Sequence, residues 1–508
     1  MAANLLCRIL GLLRETVISK WFGQNGLTDV YTAAFRIPDF LFFLLAGGVF
    51  SAAFIPVFSK YMTEGKEDDA WEVFSTVTTF LTLTVAVLVV LGEIFADKLI
   101  PLLVAPGFTA EKLQQTAHLT RIILPGQISF FLGGVFIAVL NVRGEFLTLA
   151  LGPNIYNLAI IAGGFLLRRW IGIEGLCWGV LVGAVVGNFL LPVYSLRKSG
   201  ARYRFSLNLR HPGVRQVGAL ALPVLLGLSL PQAFAIINTW FASSLQDGVV
   251  TALERANKIM QAPLGIVGQA ISVAIFPTLA ALAARGDQEG LRKTFSRGLK
   301  TLWFLTIPIA CIMIPLAHDI VAILLQYGKF TGANTDLTAE ILVCFSIGLF
   351  AFSSQALLNR AFYAVRDTIT PVLIGTGSTI LFIALNFALR GPFQHRGIAL
   401  AGSLAAMVHA AWMLFVLRRR TGIYVEGLVP ALIKTLVAAF VGGVAAWIAR
   451  ALAQDNLPVS ATWSIALTGL IAGGLAGAGV YIAAAKALKC EELNEAWTLV
   501  QRRLRRKA

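Results

Sequence analysis

Long apolar segments recur along almost the whole chain, and they restrict the fold more than any other feature of the sequence. Each is close to the roughly 20 residues that a helix needs to cross the hydrocarbon core of a bilayer. Of the 508 residues, 57% are hydrophobic and 13% are charged, unlike the balance of soluble domains. We therefore expect an all-α polytopic membrane protein with about fourteen transmembrane helices. The predicted spans are 3–22, 27–58, 72–95, 118–142, 146–168, 172–196, 216–242, 249–282, 298–325, 338–364, 368–390, 397–417, 428–453 and 461–486.

Lys and Arg fall mainly in alternate loops, which predicts how the chain is threaded through the membrane. With a cytoplasmic amino terminus, the even-numbered loops and the carboxyl terminus hold about 26 basic residues, and the odd-numbered loops hold about 8. Basic loops stay in the cytoplasm, so the net charge of +16 reflects topology and does not indicate a nucleic-acid partner. We expect both termini in the cytoplasm. The tail at 489–508 is expected to lie on the membrane as an amphipathic helix or to extend into solvent.

The beginning of the chain is unusual for a membrane protein. Arg8 and Arg14 interrupt its apolar run, which excludes a signal peptide. Residues 1–22 barely reach spanning length, so we interpret the start as truncated or misassigned.

An internal repeat is visible at a separation of about 220 residues. FSAAFIPVFSKYMTEGKED (50–68) aligns with ISVAIFPTLAALAARGDQE (271–289). Because each copy holds an even number of spans, we expect two parallel six-helix repeats around a central cavity, as in alternating-access transporters, with two helices outside the repeat. The predicted lobes are 1–200 and 201–425, the extra helices occupy 426–488, and the tail is 489–508. Matching pairs are Pro56 and Pro277, Gly65 and Gly286, and Phe74 and Phe295.

Charged side chains lie inside predicted spans of both repeats, where lipid-facing helices carry none. An ionisable group at membrane depth costs roughly 3 kcal/mol, so such groups normally face a protein interior or a wet cavity. On one ideal helix Asp29, Thr32, Arg36 and Asp39 share a face. A surplus of Arg suits a phosphate-bearing ligand, and the alternative is a set of structural ion pairs and snorkelling side chains. The basic members are Arg8, Arg14, Arg36, Arg255 and Lys258, and the acidic members are Glu15, Asp29, Asp39 and Glu254.

The sequence gives no indication of catalytic or metal chemistry. Five cysteines and five histidines are scattered without the spacing of a disulfide framework or a zinc site. No nucleophile elbow, phosphate-binding loop or dinucleotide fingerprint stands in a fitting context. We therefore expect no cofactor, no metal and no catalytic residues. Prolines inside spans, Pro38 among them, are expected to mark kinks whose freed carbonyls bond to neighbouring side chains.

Several short motifs together resemble one family. LLRE, WFG, TD, FRIP, AGG, SAAFIPVFSKY, QYGKFT and FYAVRDTITP, in this order, are similar to those of the MurJ (MviN) lipid II flippases, in the multidrug/oligosaccharidyl-lipid/polysaccharide exporter superfamily. The resemblance covers nearly the whole chain. It implies movement of undecaprenyl-pyrophosphate-linked disaccharide pentapeptide from the inner to the outer leaflet of the bacterial cytoplasmic membrane, for peptidoglycan synthesis.

The resemblance also implies roles for individual residues. It places cavity arginines of the family at Arg8 and Arg14, an acidic residue at Asp29 and a basic residue at Arg36. Lys258 stands where the family has Arg, which keeps the charge and loses the planar fork. The chain departs from many members at Phe42-Phe43 and Gly47-Gly48, where they have Arg-Arg and Glu-Gly. Pyrophosphate contacts must then come from elsewhere, with Arg36 and Arg255 as candidates.

Ion coupling and partners follow from the same resemblance. Asn238 and Asn386 stand where some members bind sodium through acidic residues, so they form the candidate ion site and weaken the case for sodium coupling. The expected partners are lipid II and membrane lipids, with the cell-wall synthesis machinery as a further candidate, and the expected state is a monomer.

Three alternatives to a lipid II flippase remain open. A flippase for another polyprenyl-linked polysaccharide unit would share the fold. A drug exporter coupled to cations would share it too, although such clefts are typically acidic or apolar and twelve spans are usual. A membrane glycosyltransferase or ligase acting on lipid-linked sugars needs catalytic carboxylates in a long extramembrane loop, and no predicted loop is long enough. We therefore expect a transporter and not an enzyme.

Overall fold

The structure is a computed structural model that describes residues 2–45, 49–145, 147–455 and 462–493. Almost all of these residues are helical, and no strand occurs among them. The side chain of Arg8 lies outside the described part of the structure, as do the glycines at 47 and 48 and the tail from 494 onwards.

Ten helices make up the first part of the chain. Two of them continue into π-helical stretches, Ile100–Val104 after α5 and Ala184–Leu190 between α9 and α10. The helices are α1 (Ala2–Phe22), α2 (Gly26–Ala34), α3 (Arg36–Leu45), α4 (Val49–Thr63), α5 (Glu67–Leu99), α6 (Ala110–Ile123), α7 (Gly126–Val142), α8 (Leu147–Ile171), α9 (Glu174–Gly183) and α10 (Leu191–Lys198).

Nine helices follow in the rest of the chain. A third π-helical stretch, Leu264–Gly268, separates α12 from α13. The helix α17 bends at Gln394, where φ is 47°, and so contains two predicted spans. The helices are α11 (Pro212–Ala242), α12 (Val249–Pro263), α13 (Gln269–Ala284), α14 (Gln288–Leu325), α15 (Gly332–Ile347), α16 (Leu349–Ala364), α17 (Ile369–Thr421), α18 (Leu428–Asp455) and α19 (Thr462–Ala487).

The all-α polytopic membrane fold is confirmed. Within the described residues, nine helical stretches are long and apolar enough to cross a membrane, and α15 with α16 forms a tenth if this pair, bent by 48°, counts as one span. Helices occupy each of the predicted spans, and the exact number of fourteen stays a prediction.

The two copies of the repeat share local geometry that the alignment predicted. Gly65 and Gly286 both adopt positive φ, at 75° and 71°, after their helices end. In each case the residue after the glycine donates its N–H to a carbonyl five residues back, at 3.0 and 3.1 Å, which is the Schellman ending of a helix. Phe74 and Phe295 are both fully buried. Equivalent sequence therefore produces equivalent turns and core positions.

Pro38 interrupts the helix that was expected to carry four polar residues on one face. Pro38 has no N–H, so the carbonyl of Ala34 loses its helical partner and α2 ends there. The hydroxyl of Thr120, which lies 2.8 Å from the carbonyl of Thr116 on its own helix, is also within hydrogen-bond distance of this carbonyl, at 3.2 Å. Because the helix restarts as α3 after Phe35, the stretch from Asp29 to Asp39 is not one unbroken helix.

The chain forms two compact units. The first comprises residues 1–251 and 327–330, and the second comprises 252–326 and 331–508. This division lies inside α12 and not near residue 200, because α11 packs against α3 and α4. In the first unit α7 lies so close to Ala184–Leu190 that a Cβ on Gly133 would overlap the carbonyl oxygen of Asn188.

In the second unit, α18 and α19 pack against α14, a helix of the second repeat. Asp319 on α14 is buried and accepts hydrogen bonds from Arg450 Nη2 at 3.0 Å and from Gln454 Nε2 at 3.2 Å, both on α18. The helices α18 and α19 approach closely through small residues: a Cβ on Gly477 would lie 3.0 Å from the carbonyl oxygen of Gly442. The two helices outside the repeat therefore form part of this compact unit.

Candidate functional site

A charged and aromatic cluster lies inside the first unit, around Arg14 of α1. Arg14 Nη2 donates to Glu15 Oε1 at 3.1 Å. Arg14 also lies within electrostatic range of Tyr31 on α2 and Tyr156 on α8, and Asp39 on α3 acts on Tyr156. We call these five residues the Arg14 cluster. Four helices supply it; Arg14 and Glu15 pair directly, and a common site that also includes Asp39 stays a prediction.

The Arg14 cluster is enclosed by protein and still partly exposed. The side chains of Arg14 and Glu15 keep 21% and 16% of their exposure. The side chains of Tyr31, Asp39 and Tyr156 are likewise partly buried. Charged groups avoid lipid because of the desolvation cost. We therefore expect the cluster to face a protein interior or a polar cavity and not lipid.

Asp29 has a different environment, at the start of α12. Its Oδ2 accepts a hydrogen bond from the N–H of Gly248 at 2.6 Å. Its Oδ1 accepts from the N–H and the hydroxyl of Thr251, at 2.8 and 2.7 Å. These N–H groups have no carbonyl partner within the helix, and a carboxylate is favoured at this positive end. Asp29, which is 2% exposed, therefore caps a helix from a distant part of the sequence.

Arg36 and Thr32 also contact the second repeat within this unit. Arg36 is buried, and its Nε donates to the hydroxyl of Thr239 on α11 at 2.7 Å. The hydroxyls of Thr32 and Thr251 lie 3.5 Å apart. The polar residues before the break at Phe35 and Arg36 just after it thus meet α11 and α12, whereas Asp39 joins the Arg14 cluster.

Further polar contacts hold the same end of the unit together. The N–H of Gly107 donates to the hydroxyl of Ser243 at 3.0 Å, and the N–H of Lys329 donates to the carbonyl of Lys20 at 3.1 Å. Lys112 forms an ion pair with Asp247. The loops 23–25, 105–109 and 243–248 meet here, and we call this region the odd-loop end. Asp29 and Arg36 belong to its contacts.

The remaining predicted basic residues lie on α12 in the second unit. Lys258 pairs with Glu254 one turn earlier, at 3.3 Å. Arg255 is 3% exposed. Among the predicted basic residues, ion pairs are described for Arg14 and Lys258, and in both pairs the partner is a glutamate. Convergence of all the predicted cations on one ligand stays a prediction.

The two candidate ion-site residues are both buried. Asn386 donates its Nδ2 to the carbonyl of Phe382 at 2.8 Å in the second unit. Asn238 is 7% exposed and belongs to the first unit. An ion bound through both side chains stays a prediction.

A group of three possible metal ligands occurs among the described residues, at the opposite end of the first unit. Ligand atoms of Asp69, Glu72 and His211 lie within 4.8 Å of one another. However, His211 Nδ1 accepts the N–H of Gly213 at 3.1 Å, at the start of α11. A neutral imidazole that accepts at Nδ1 carries its proton on Nε2, and a protonated nitrogen cannot bind a metal. The arrangement therefore fits a helix cap whose other nitrogen faces Asp69, 3.9 Å away.

A cavity of about 570 Å³ lies near the odd-loop end. Its wall includes Glu111, His118 and Glu174, with His118 Nε2 3.2 Å from Glu174 Oε2. None of the predicted site residues lines it.

Tyr31 and Tyr156 belong to the Arg14 cluster, and sequence reasoning did not select them. Tyr156 lies in PNIYN, a polar run inside an apolar span, and this run is the pattern that could have indicated it. Tyr31 lies two positions after Asp29, and residues two positions apart do not share a helical face, so the spacing pattern that starts at Asp29 does not include it.

Comparison with known proteins places the chain in a family context. A family model described as "Lipid II flippase MurJ" matches residues 18–467. The chain is 31% identical to "Lipid II flippase MurJ" of Burkholderia cenocepacia, over 83% of each protein. It is 28% identical to a protein of Bdellovibrio bacteriovorus named as a probable lipid II flippase, over 97% of this chain and 94% of the relative.

Solved structures support the fold. A structure titled as lipid II flippase MurJ in an inward closed conformation superposes with a TM-score of 0.79 at 24% identity, covering 96% of this chain and 97% of that one. An inward-facing multidrug transporter of the MATE family superposes with a TM-score of 0.67 at 15% identity, covering 82% and 94%. The chain thus shares the fold of these two proteins.

Proposed function

This chain belongs to the MurJ family of lipid II flippases, and we propose that it moves lipid II across the membrane by alternating access. The family match over residues 18–467 gives the substrate class. The Arg14 cluster is the observation that carries the mechanism: an ion pair held inside a membrane protein, enclosed and still partly exposed. Such a pair is costly in a bilayer, and a polar ligand explains why it is kept.

The basic residues bind the diphosphate of the head group, which takes the place of a glutamate carboxylate. In the structure Glu15 accepts from Arg14, and Glu254 lies 3.3 Å from Lys258. These glutamates keep the cations from standing alone, since an unpaired buried charge costs several kcal/mol. A diphosphate offers more oxygens in a geometry that the guanidinium fork matches, so it displaces the carboxylate. Arg8 and Arg255 add positive charge in this proposal.

The odd-loop end serves as a gate. Release on that side requires the cap from Asp29 and the bond from Arg36 to break, since both join the first repeat to α11 and α12. A ligand can shift such an equilibrium only by binding one state more tightly. In this proposal lipid II supplies that difference, because the cations bind its diphosphate more tightly in one of the two states.

The remaining features of the proposal follow from topology. We place the protein in the bacterial cytoplasmic membrane with both termini in the cytoplasm, so that the odd-loop end faces outward. Transport then proceeds without covalent chemistry or a cofactor. Monovalent cation coupling through Asn238 and Asn386 is not required.

Replacement of a cell's own flippase tests the proposal. Cells that depend on this chain should grow, and lipid II should reach the outer leaflet. Arg14→Ala should reduce translocation at least tenfold, the effect of about 1.4 kcal/mol, because the guanidinium is lost. Arg14→Lys should retain part of it. Arg285→Ala, an exposed arginine in a loop, is the matched control and should leave the rate unchanged. Translocation at the parental rate by Arg14→Ala, at equal protein levels, would contradict the assignment.

A further inference from the structure

We propose that a row of aromatic rings beside the Arg14 cluster binds the sugar rings of the lipid-linked head group, so that one site holds carbohydrate and diphosphate together. The inference rests on the proposed function and names the part of the substrate that a second group of side chains recognises. The row consists of Phe43 and Phe42 on α3, Phe130 on α7 and Tyr156 on α8.

The rings contact one another in sequence across three helices. Centroids of Phe43 and Phe42 are 5.3 Å apart, those of Phe42 and Phe130 are 5.4 Å apart, and those of Phe130 and Tyr156 are 5.2 Å apart. The planes of adjacent rings meet at 71–82°. Edge-to-face contacts of this kind fix each ring by its neighbour. The row therefore presents alternating faces and edges on a preorganised surface.

The row differs from the aromatic core of the same unit. Phe58 and Phe74 are fully buried and pack on Trp71, with centroids 5.5 and 5.6 Å from it. All four rings of the row, by contrast, are half-buried. A ring that is packed on one side and exposed on the other can receive a ligand without rearrangement of the core.

The exposed side of the row continues the polar surface of the Arg14 cluster. Tyr156 belongs to both groups and lies within electrostatic range of Arg14 and Asp39. Its side chain is half-buried, like those of the other three rings. Because the charged groups avoid lipid, we expect the end of the row at Tyr156 to border the same polar cavity as these charges.

Sugar chemistry matches this combination of groups. A pyranose ring has an apolar face of C–H bonds, which carry slight positive charge and suit the negative face of an aromatic ring. Its hydroxyl and amide groups need acceptors and donors, which Glu15, Asp39 and the Tyr31 hydroxyl supply. Once the diphosphate takes the place of Glu15 at Arg14, the two carboxylates can accept hydrogen bonds from sugar hydroxyls, and a lipid tail would not use them. A sugar placed next to the diphosphate uses both the rings and the carboxylates.

Binding of three ligands to the purified full-length protein in lipid nanodiscs tests the inference. The ligands are undecaprenyl pyrophosphate, the same lipid carrying only the disaccharide, and lipid II. Phe42→Leu and Phe130→Leu should each weaken binding of the two sugar-bearing lipids about fivefold, since one aromatic contact is worth about 1 kcal/mol. Binding of undecaprenyl pyrophosphate should stay unchanged. Phe42→Tyr, which keeps the ring, should restore affinity. Phe165→Leu, at an exposed ring on α8, is the matched control and should have no effect.

Each other outcome overturns the inference in a distinguishable way. Unchanged affinity for the disaccharide lipid in both Leu variants would show that the rings do not touch sugar, while the proposed function would stand. Equal loss for all three lipids would assign the row to the lipid tail or to folding. Loss that appears with lipid II and not with the disaccharide lipid would assign it to the peptide. Failure of the parent protein to bind any of the three would overturn the proposed function itself.

Discussion

The cap that Asp29 places on α12 yields the sharpest prediction. In Asp29→Asn the side-chain oxygen stays with Thr251, which donates to it twice, so the new NH₂ group faces the N–H of Gly248. One hydrogen bond to a charged acceptor is then lost, and such bonds are worth about 1.5–3 kcal/mol. If the hydrogen bonds of Asp29 form only when the odd-loop end is closed, the loss of one of them should make opening about 10- to 150-fold more frequent.

Thiol labelling measures this opening. Val250, at the start of α12, is 2% exposed, so a cysteine there reacts only when the odd-loop end opens. In a background without the native cysteines, Asp29→Asn should raise the labelling rate of Val250→Cys by the stated factor. Thr32→Val, which removes a hydroxyl 3.5 Å from Thr251, is the control and should change the rate less than about threefold, as expected of a weak contact. An Asp29→Asn rate equal to that of the parent would refute the reasoning.

Three further predictions concern stability. Arg450→Leu should destabilise the purified protein by about 3–5 kcal/mol because it leaves the buried carboxylate of Asp319 without its cation. The double variant with Leu at positions 319 and 450 should have a higher melting temperature than Arg450→Leu alone. A lower melting temperature for the double variant would contradict this account. Gly133→Ala should reduce the yield of folded, monodisperse protein because its Cβ would overlap a backbone carbonyl, whereas Gly474→Ala, at an open position, should not. Burial raises the pKa of Asp367. Hydrogen bonds from the start of the next helix and the charge of a nearby arginine have a larger combined effect, and they lower this pKa below its usual value. Its stabilising effect should therefore be complete above pH about 4 and lost as the pH falls further, so Asp367→Asn should flatten the acid side of the melting-temperature profile.

Much of the fold could be predicted because its causes are local. The apolar spans follow from hydropathy along the chain, and the helices occupy them. The turn at Gly65 recurs at Gly286 because the same residue type permits the same positive φ. Even the interruption before Pro38 was expected from its missing N–H, although the spacing argument that ran from Asp29 to Asp39 ignored it.

The partners of the charged residues could not be predicted in the same way. Sequence reasoning placed Asp29 and Arg36 in one cavity with Arg14, and spacing along one helix gave no means to separate them. In the structure Asp29 and Arg36 contact α12 and α11, whereas Asp39 lies within electrostatic range of Tyr156. Tyr156 was missed because a tyrosine in an apolar span is not unusual until its neighbours are known.

The sequence by itself determined that this protein is a duplicated, all-helical membrane protein of the MurJ family, since hydropathy, the repeat and the motifs depend only on the order of residues along the chain. Tertiary structure decided what each charge does. Asp29 and Thr251 are 222 residues apart and Arg36 and Thr239 are 203 apart, and they meet only when the two repeats pack. A buried charge takes its role from the groups that fold around it, and those groups are set by packing across the whole chain.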